Sequence, residues 1–267
     1  MITELHQTLV RNVGETTYYR SGKGRPLVLL HGFLGGAAYW NRLIQEYSGL
    51  FDVIALDLPG FGEAGEAKTP DTIAGFSEFI VTILSQLSVD RFYLVGHSMG
   101  GAIAQQVAID YPDKIHKLVL YGTSSSGILP ERFENFDESI RRLELHGVNA
   151  HADRVVPTWF VHGTESPSYS MCRSAVGGLQ VNNAIAAQQA IAKWDVTDRI
   201  REIVAPTLVV GGDQDRSCSP REAYKLWDNI PNSSLFIVPG CAHTVHLEKP
   251  ELFAEIVRQF LLGSPEP

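Results

Sequence analysis

One stretch of this 267-residue chain places a serine where its hydroxyl can be made to react. Arg91 to Gly101 reads RFYLVGHSMGG, an apolar run that passes straight into Gly96-His97-Ser98-Met99-Gly100 and then into a helical pattern. A nucleophilic serine must sit on a strained strand-to-helix turn that holds its hydroxyl clear of the backbone. Such a turn leaves room only for small residues two positions to each side. The competing role for Ser98 is a helix N-cap, which serine favours. A cap, however, requires neither the flanking glycines nor the partners found further along the chain.

A serine hydroxyl is a weak nucleophile near neutral pH, so it needs a base within reach and an acid to orient that base. Val209 to Asp215, VVGGDQD, reads as a strand ending in a glycine turn with acids. Pro239 to Pro250, PGCAHTVHLEKP, reads as a strand end followed by a histidine loop. The order Ser, Asp, His assigns Ser98 as nucleophile, Asp215 as orienting acid and His243 as base. Asp213 directly follows the glycine pair and is assigned to the turn. His246 is assigned a structural place before the last helix. His243, His246 and Glu248 raise the question of a metal, but no recognisable third ligand or HExxH helix accompanies them, so no metal is expected. Cys172, Cys218 and Cys241 are scattered without a CxxC pair and are expected to be free thiols.

A tetrahedral intermediate needs backbone donors aimed at its oxyanion. One is expected to be the amide of Met99, directly after the nucleophile. The other is expected in LLHGFLGG, Leu29 to Gly36, at the amide of Phe33, with His31 and Gly32 holding that loop's shape. Asp57 to Gly62, DLPGFG, reads as a rigid turn without chemistry of its own.

The elements that must position these residues follow from patterning. Short apolar runs at Leu27–Leu30, Val53–Leu56, Phe92–Val95, Lys117–Tyr121, Thr207–Val210 and Leu235–Val238 suit strands buried on both faces of a parallel sheet. Helical patterns at Trp40–Ser48, Thr72–Leu87, Gly100–Tyr111, Arg221–Asn229 and Pro250–Leu262 fall between several of them, giving an α/β class with helices on both faces. Two β-prone stretches around Asn12 to Glu15 read as an N-terminal antiparallel hairpin. The alternation breaks from Thr123 to about Val204, where helical patterns run without a clear strand. We expect a core domain of residues 1–122 and 205–267, with residues 123–204 inserted as a helical cap over the strand ends. Within the insertion Trp159, Phe160, Tyr169, Met171 and Trp194 imply an apolar pocket. Trp159, Phe160 and Trp194 are the candidate substrate contacts, together with Arg173, whose charge would welcome a carboxylate if it pointed inward.

Composition excludes other classes. With 44% hydrophobic and 19% charged residues the chain is that of a globular protein. Its net charge of -8 offers no general attraction to phosphate backbones, which argues against a nucleic-acid partner. Met1 to Arg11 lacks a secretory pattern and no stretch is apolar enough to span a bilayer, so cytoplasmic residence without membrane insertion is expected.

LHGFLGG, DLPGFG, VGHSMGG, PTLVVGGDQD and PGCAHTVHLEKPELF stand in an order and spacing that resemble the α/β-hydrolase superfamily across nearly the whole chain outside the insertion. The resemblance implies an eight-stranded, mostly parallel sheet, a helical cap after the sixth strand, and acyl-enzyme catalysis on a small-molecule substrate without a cofactor. Small esterases, enol-lactonases and carbon-carbon bond hydrolases of aromatic breakdown look most similar. Epoxide and haloalkane hydrolases carry aspartate where Ser98 stands. Carbon-carbon hydrolases usually carry asparagine where His97 stands and a glycine-proline-glycine turn where Phe33-Leu34-Gly35 stands. Carboxylic-ester hydrolysis is therefore the leading expectation. Carbon-carbon or enol-lactone hydrolysis, a lyase or haloperoxidase-like activity on the same triad, and a small-molecule receptor on a hydrolase scaffold are the alternatives. No sequence feature fixes the oligomeric state.

Overall fold

The apolar runs become strands because only a sheet buried on both faces can hide them. The computed structural model describes residues 9–13 and 16–263. Strands β1 (Leu9–Val13), β2 (Thr16–Ser21), β3 (Arg25–Leu30), β4 (Phe51–Leu56), β5 (Phe92–His97), β6 (Ile115–Tyr121), β7 (Thr207–Gly212) and β8 (Ser233–Val238) form one 8-stranded sheet ordered β1-β2-β4-β3-β5-β6-β7-β8. β1 pairs antiparallel with β2, and β2 with β4. The turn between β1 and β2, at residues 14–15, lies outside the described residues. From β4 to β8 every pairing is parallel.

Helices return the chain between strands: α1 (Asn41–Tyr47), α2 (Ile73–Gln86) and α3 (Met99–Asp110), then α4 (Phe136–Val155), α5 (Tyr169–Ser174) and α6 (Val181–Lys193), then α7 (Pro220–Asn229), α8 (Val245–Glu248) and α9 (Pro250–Leu262). Local chemistry sets several ends. The Thr72 hydroxyl caps α2 by accepting from Gly75 N at 3.0 Å, and Asn135 caps α4 by accepting from Glu138 N at 2.8 Å. Pro112 follows the end of α3, and Pro250 opens α9, where a missing N–H costs nothing.

Alternate residues of each strand face opposite layers. Val28, Leu30, Leu94 and Leu118 pack with Phe76 and Ile80 of α2 and Ile103 and Val107 of α3. Leu27, Leu29, Val95 and Val119 pack with Trp40, Ile44 of α1, and Phe253 and Val257 of α9. Each such side chain, fully buried, contributes about 1.5–3 kcal/mol. α3 is buried from Met99 to Ile109, which suits its mostly small and apolar residues, and its two buried glutamines, Gln105 and Gln106, are hydrogen-bonded within the protein.

Between β6 and β7 the described residues hold α4, α5, α6 and short 3-10 turns, with only an isolated bridge from Ser126 to Asp195. α4 is kinked at Gly147, whose φ of 74° interrupts the helix. Leu143, Val148, Ala152, Trp159, Phe160 and Cys172 build a third core, which meets the main body through Leu34 and Tyr39.

Candidate active site

The serine turn is held by close contacts that only glycines permit. Ser98 adopts φ 55° and ψ -118°, a conformation L residues rarely enter. A Cβ on Gly96 would come within 2.3 Å of Gly100 O, and one on Gly100 within 2.5 Å of both Leu30 O and His31 O. The end of β5 and the start of α3 therefore cross with no side chain between them, and β3 lies directly beneath. Ser98 N donates to Tyr121 O at 2.9 Å, while Ser98 O accepts from Gly101 N, Ala102 N and the Thr123 hydroxyl. The backbone of residue 98 is thereby fixed from both sides.

Asp215 and His243 lie in the loops after β7 and β8 and meet. His243 Nδ1 stands 2.7 Å from Asp215 Oδ2. The other carboxylate oxygen accepts from Ser217 N at 2.7 Å and Cys218 N at 3.0 Å. Both residues are buried. An ionised carboxylate is acceptor-only, so Nδ1 carries the hydrogen and Nε2 keeps its lone pair. His243 and Ser98 open into the same cavity. No hydrogen bond joins the Ser98 hydroxyl to His243 among the described residues; contacts of this kind tighten when substrate arrives.

The neighbouring candidates have structural partners. Asp213 Oδ1 accepts from Cys241 N at 3.2 Å and shapes the turn. His246 packs on Trp40 at 4.7 Å between ring centres and meets the Tyr121 hydroxyl at 3.1 Å. Burial, then the charge of His243, depresses His246 to about 3. Glu248 accepts from Val161 N at 2.8 Å and Ala242 N at 2.7 Å, so its carboxylate is occupied in holding the histidine loop. Among the described residues no cluster of three or more His, Cys, Asp or Glu is arranged to hold a metal ion. The cysteines Cys172, Cys218 and Cys241 are unpaired.

Sequence reasoning did not find the support behind the base. The carbonyl of His243 accepts from the Tyr121 hydroxyl at 2.9 Å and lies 3.0 Å from His97 Nε2. Burial, followed by the nearby histidines His243 and His246, holds His97 well below its ordinary pKa, so it is neutral and Nε2 carries the donating hydrogen. Trp159 O, from the inserted segment, accepts from His243 N at 3.0 Å, Thr244 N at 3.2 Å and the Thr244 hydroxyl at 2.9 Å.

The loop after β3 is organised by His31. Leu58 N donates to His31 Nε2 at 3.0 Å, which leaves the hydrogen on Nδ1 to donate to Gly32 O at 2.8 Å. Burial holds that ring at about 4, so it stays neutral. Asp57 ties the neighbouring turn by accepting from Ala37 N at 2.7 Å and Glu63 N at 3.2 Å. Phe33 and Met99 both line the cavity. Neither amide has an acceptor within the protein among the described residues.

Of the candidates in the inserted segment, Trp159 and Trp194 line the cavity. Phe160 does not, because it is buried in the segment's own core. Arg173 corrects the expectation more strongly. On α5 its guanidinium turns outward to Asp153 at 2.5 Å and to Asn149 Oδ1 at 3.2 Å, on the surface and away from the cavity. Met171 is exposed and Tyr169 packs on the third core. The cation that does line the cavity is Arg132, beside Phe133 and Phe136, in a loop with no periodic pattern that could have marked it. Gln188 and Ile191 of α6 line it as well. Among the described residues no helix is long and apolar enough to cross a membrane.

A family model described as the alpha/beta hydrolase fold matches residues 25–250. Over 264 residues, 92% of this chain and 87% of the other, the sequence is 28% identical to the 2-hydroxy-6-oxo-6-(2'-aminophenyl)hexa-2,4-dienoic acid hydrolase of Metapseudomonas resinovorans. The fold is similar to that of the enol-lactonase from Burkholderia xenovorans LB400, with TM-score 0.86 and 21% identity, covering 95% of this chain and 99% of that one. It is also similar to a thermophilic esterase from Thermogutta terrifontis, with TM-score 0.84 and 26% identity over 96% of this chain and 98% of that one.

Proposed function

This chain belongs to the α/β-hydrolase fold family, and from that premise we propose that it hydrolyses a small carboxylic ester or a related acyl bond through an acyl-enzyme on Ser98. The observation that carries the reading is the 2.7 Å contact of His243 Nδ1 with Asp215, made where His243 and Ser98 share one cavity. With Nδ1–H donated to Asp215, Nε2 takes the Ser98 proton as the hydroxyl attacks the substrate carbonyl. The unpaired amides of Phe33 and Met99 receive the oxyanion. His243 then returns the proton to the leaving alcohol, and a water activated by the same imidazole releases the acid. Asp215 holds the tautomer throughout. Residues 123–204 act as the cap over this centre, with Trp159 and Trp194 in the substrate wall and the reaction needing no cofactor. The protein works as a cytoplasmic enzyme on small molecules.

Carbon-carbon bond hydrolysis is the second reading, favoured by the likeness to the dienoic acid hydrolase. It is opposed by His97 at the position before the nucleophile.

The test is turnover of short-chain p-nitrophenyl esters and a ring-cleavage diketone by wild type and variants. Ser98→Ala, Asp215→Asn and His243→Ala are each expected to lower kcat by about 10³-fold or more. Asp213→Asn is expected to cost far less. Equal turnover by Ser98→Ala and wild type ends the proposal, and a single turnover per site in wild type makes the protein a receptor instead.

A further inference from the structure

We propose that Arg132 receives a carboxylate of the substrate, with the Ser217 hydroxyl as a second donor, so that the natural substrate is an acyl compound bearing one free carboxylate. This rests on the hydrolase reading of the site. Arg132 lines the same cavity as Ser98 and is its only cationic residue of the Lys or Arg type, and no Asp or Glu lines that cavity among the described residues. The guanidinium carbon lies 4.4 Å from the centre of the Phe136 ring and 4.9 Å from that of Phe133, contacts that fix its plane without neutralising it. One guanidinium nitrogen donates to the backbone carbonyl of Glu134.

The acids around this loop are already engaged. Glu134 pairs with Arg142 at 3.1 Å and Arg154 at 2.5 Å. Glu131 accepts from Arg221 at 2.8 Å and the Ser219 hydroxyl at 2.7 Å. Glu138 pairs with Arg141 and Arg142. Arg132 forms no ion pair among the described residues. Glu134, the carboxylate that acts on Arg132, is thus shared with two other guanidinium groups. Burial lowers its pKa, with Cys218 and Glu134 opposing that shift, yet a guanidinium keeps its charge in proteins.

The second observation is independent. Ser217 lines the cavity at 8% exposure, and its hydroxyl has no hydrogen-bond partner. A buried hydroxyl left unmatched is costly, and so is a half-buried cation. One incoming planar carboxylate would satisfy both, accepting from the guanidinium fork and from the hydroxyl. A dianion would leave a net negative charge in an otherwise apolar wall of Leu129, Phe133 and Trp194, so the geometry favours a single carboxylate.

Two pairs of substrates place the carboxylate on either side of the scissile bond. One pair is p-nitrophenyl butyrate and mono-p-nitrophenyl glutarate. The other is phenyl butyrate and 4-butyryloxybenzoate. In wild type the ratio of kcat/KM, carboxylated over neutral, is expected to exceed 1 in at least one pair. Arg132→Gln is expected to lower that ratio by about 10- to 100-fold, Arg132→Lys by an intermediate factor, and Ser217→Ala by about 3- to 10-fold. A ratio below 1 in both pairs, or one unmoved by all three substitutions, overturns the proposal. If no substrate is turned over, titration of butyrate, a monocarboxylate, into wild type and Arg132→Lys separates the two readings. Tighter binding to wild type supports the carboxylate site even though the hydrolase reading has failed, and equal binding overturns it.

Discussion

The strained nucleophile can be weighed directly. Ser98 sits at φ 55° and ψ -118°, a region that costs a residue with a Cβ about 1–3 kcal/mol and costs glycine almost nothing. Ser98→Ala keeps the Cβ and so keeps the strain; Ser98→Gly releases it. Glycine returns about 0.4–1 kcal/mol to the unfolded chain as entropy, and loss of a half-buried Cβ removes a few tenths more. The balance leaves Ser98→Gly about 1 kcal/mol more stable than Ser98→Ala. For a domain of this size that is about 2–4 °C in Tm. Both variants lack the hydroxyl, so the comparison isolates backbone strain from chemistry. Urea unfolding followed by circular dichroism, with equal slopes for the two variants, reads the difference. A midpoint for Ser98→Gly at or below that of Ser98→Ala would refute the claim that the turn holds Ser98 against its preferred conformation.

Acid should destabilise the fold through histidines rather than carboxylates. Burial holds His31 and His151 at about 4 and His246 at about 3, against about 6.5 unfolded. Their support is intact above pH 6.5 and is lost as pH falls toward 4. Asp57, raised by burial to about 6, acts the opposite way between 6 and 3.8. Three groups against one leave a net loss of about 4 kcal/mol from pH 7 to pH 5; a higher urea midpoint at pH 5 than at pH 7 contradicts the assignment. Burial also pushes Cys172 up to about 12 and Cys241 up to about 11, and raises Cys218. Native protein is therefore expected to resist iodoacetamide at pH 8, where thiolates are the reacting species. Stoichiometric alkylation of Cys218 by mass spectrometry, without unfolding, would count against it.

What could be read from the sequence was local. Gly96, Ser98 and Gly100 declare the turn because Gly96 and Gly100 cross within four residues of one another around the serine, and Asp215 and His243 sit where strands β7 and β8 end. The network behind His243 was not readable, because Tyr121 and His97 reach its carbonyl from strands far off in sequence. The cavity wall was harder still. Arg132 and Gln188 come together from opposite ends of the inserted segment, by packing that leaves no period and no motif. Arg173 was a natural choice because it stands beside Met171 and Tyr169 in sequence. A short helix on the surface, with Asp153 in reach, gives its charge a solvent-side partner instead.

The carbonyl of Trp159 has a bearing on how such proteins can diversify. It fastens the backbone on which His243 rides, and Val161 N adds a tie to Glu248 two residues further along. Residues 123–204 are consequently not a freely interchangeable module. A chimera that imports this stretch from a relative inherits a new wall and, unless the donor offers an acceptor at the same place, a loosened base. Point changes along the wall leave the fastening untouched. Shifts in selectivity are therefore reached more safely residue by residue than by recombination at the segment's borders.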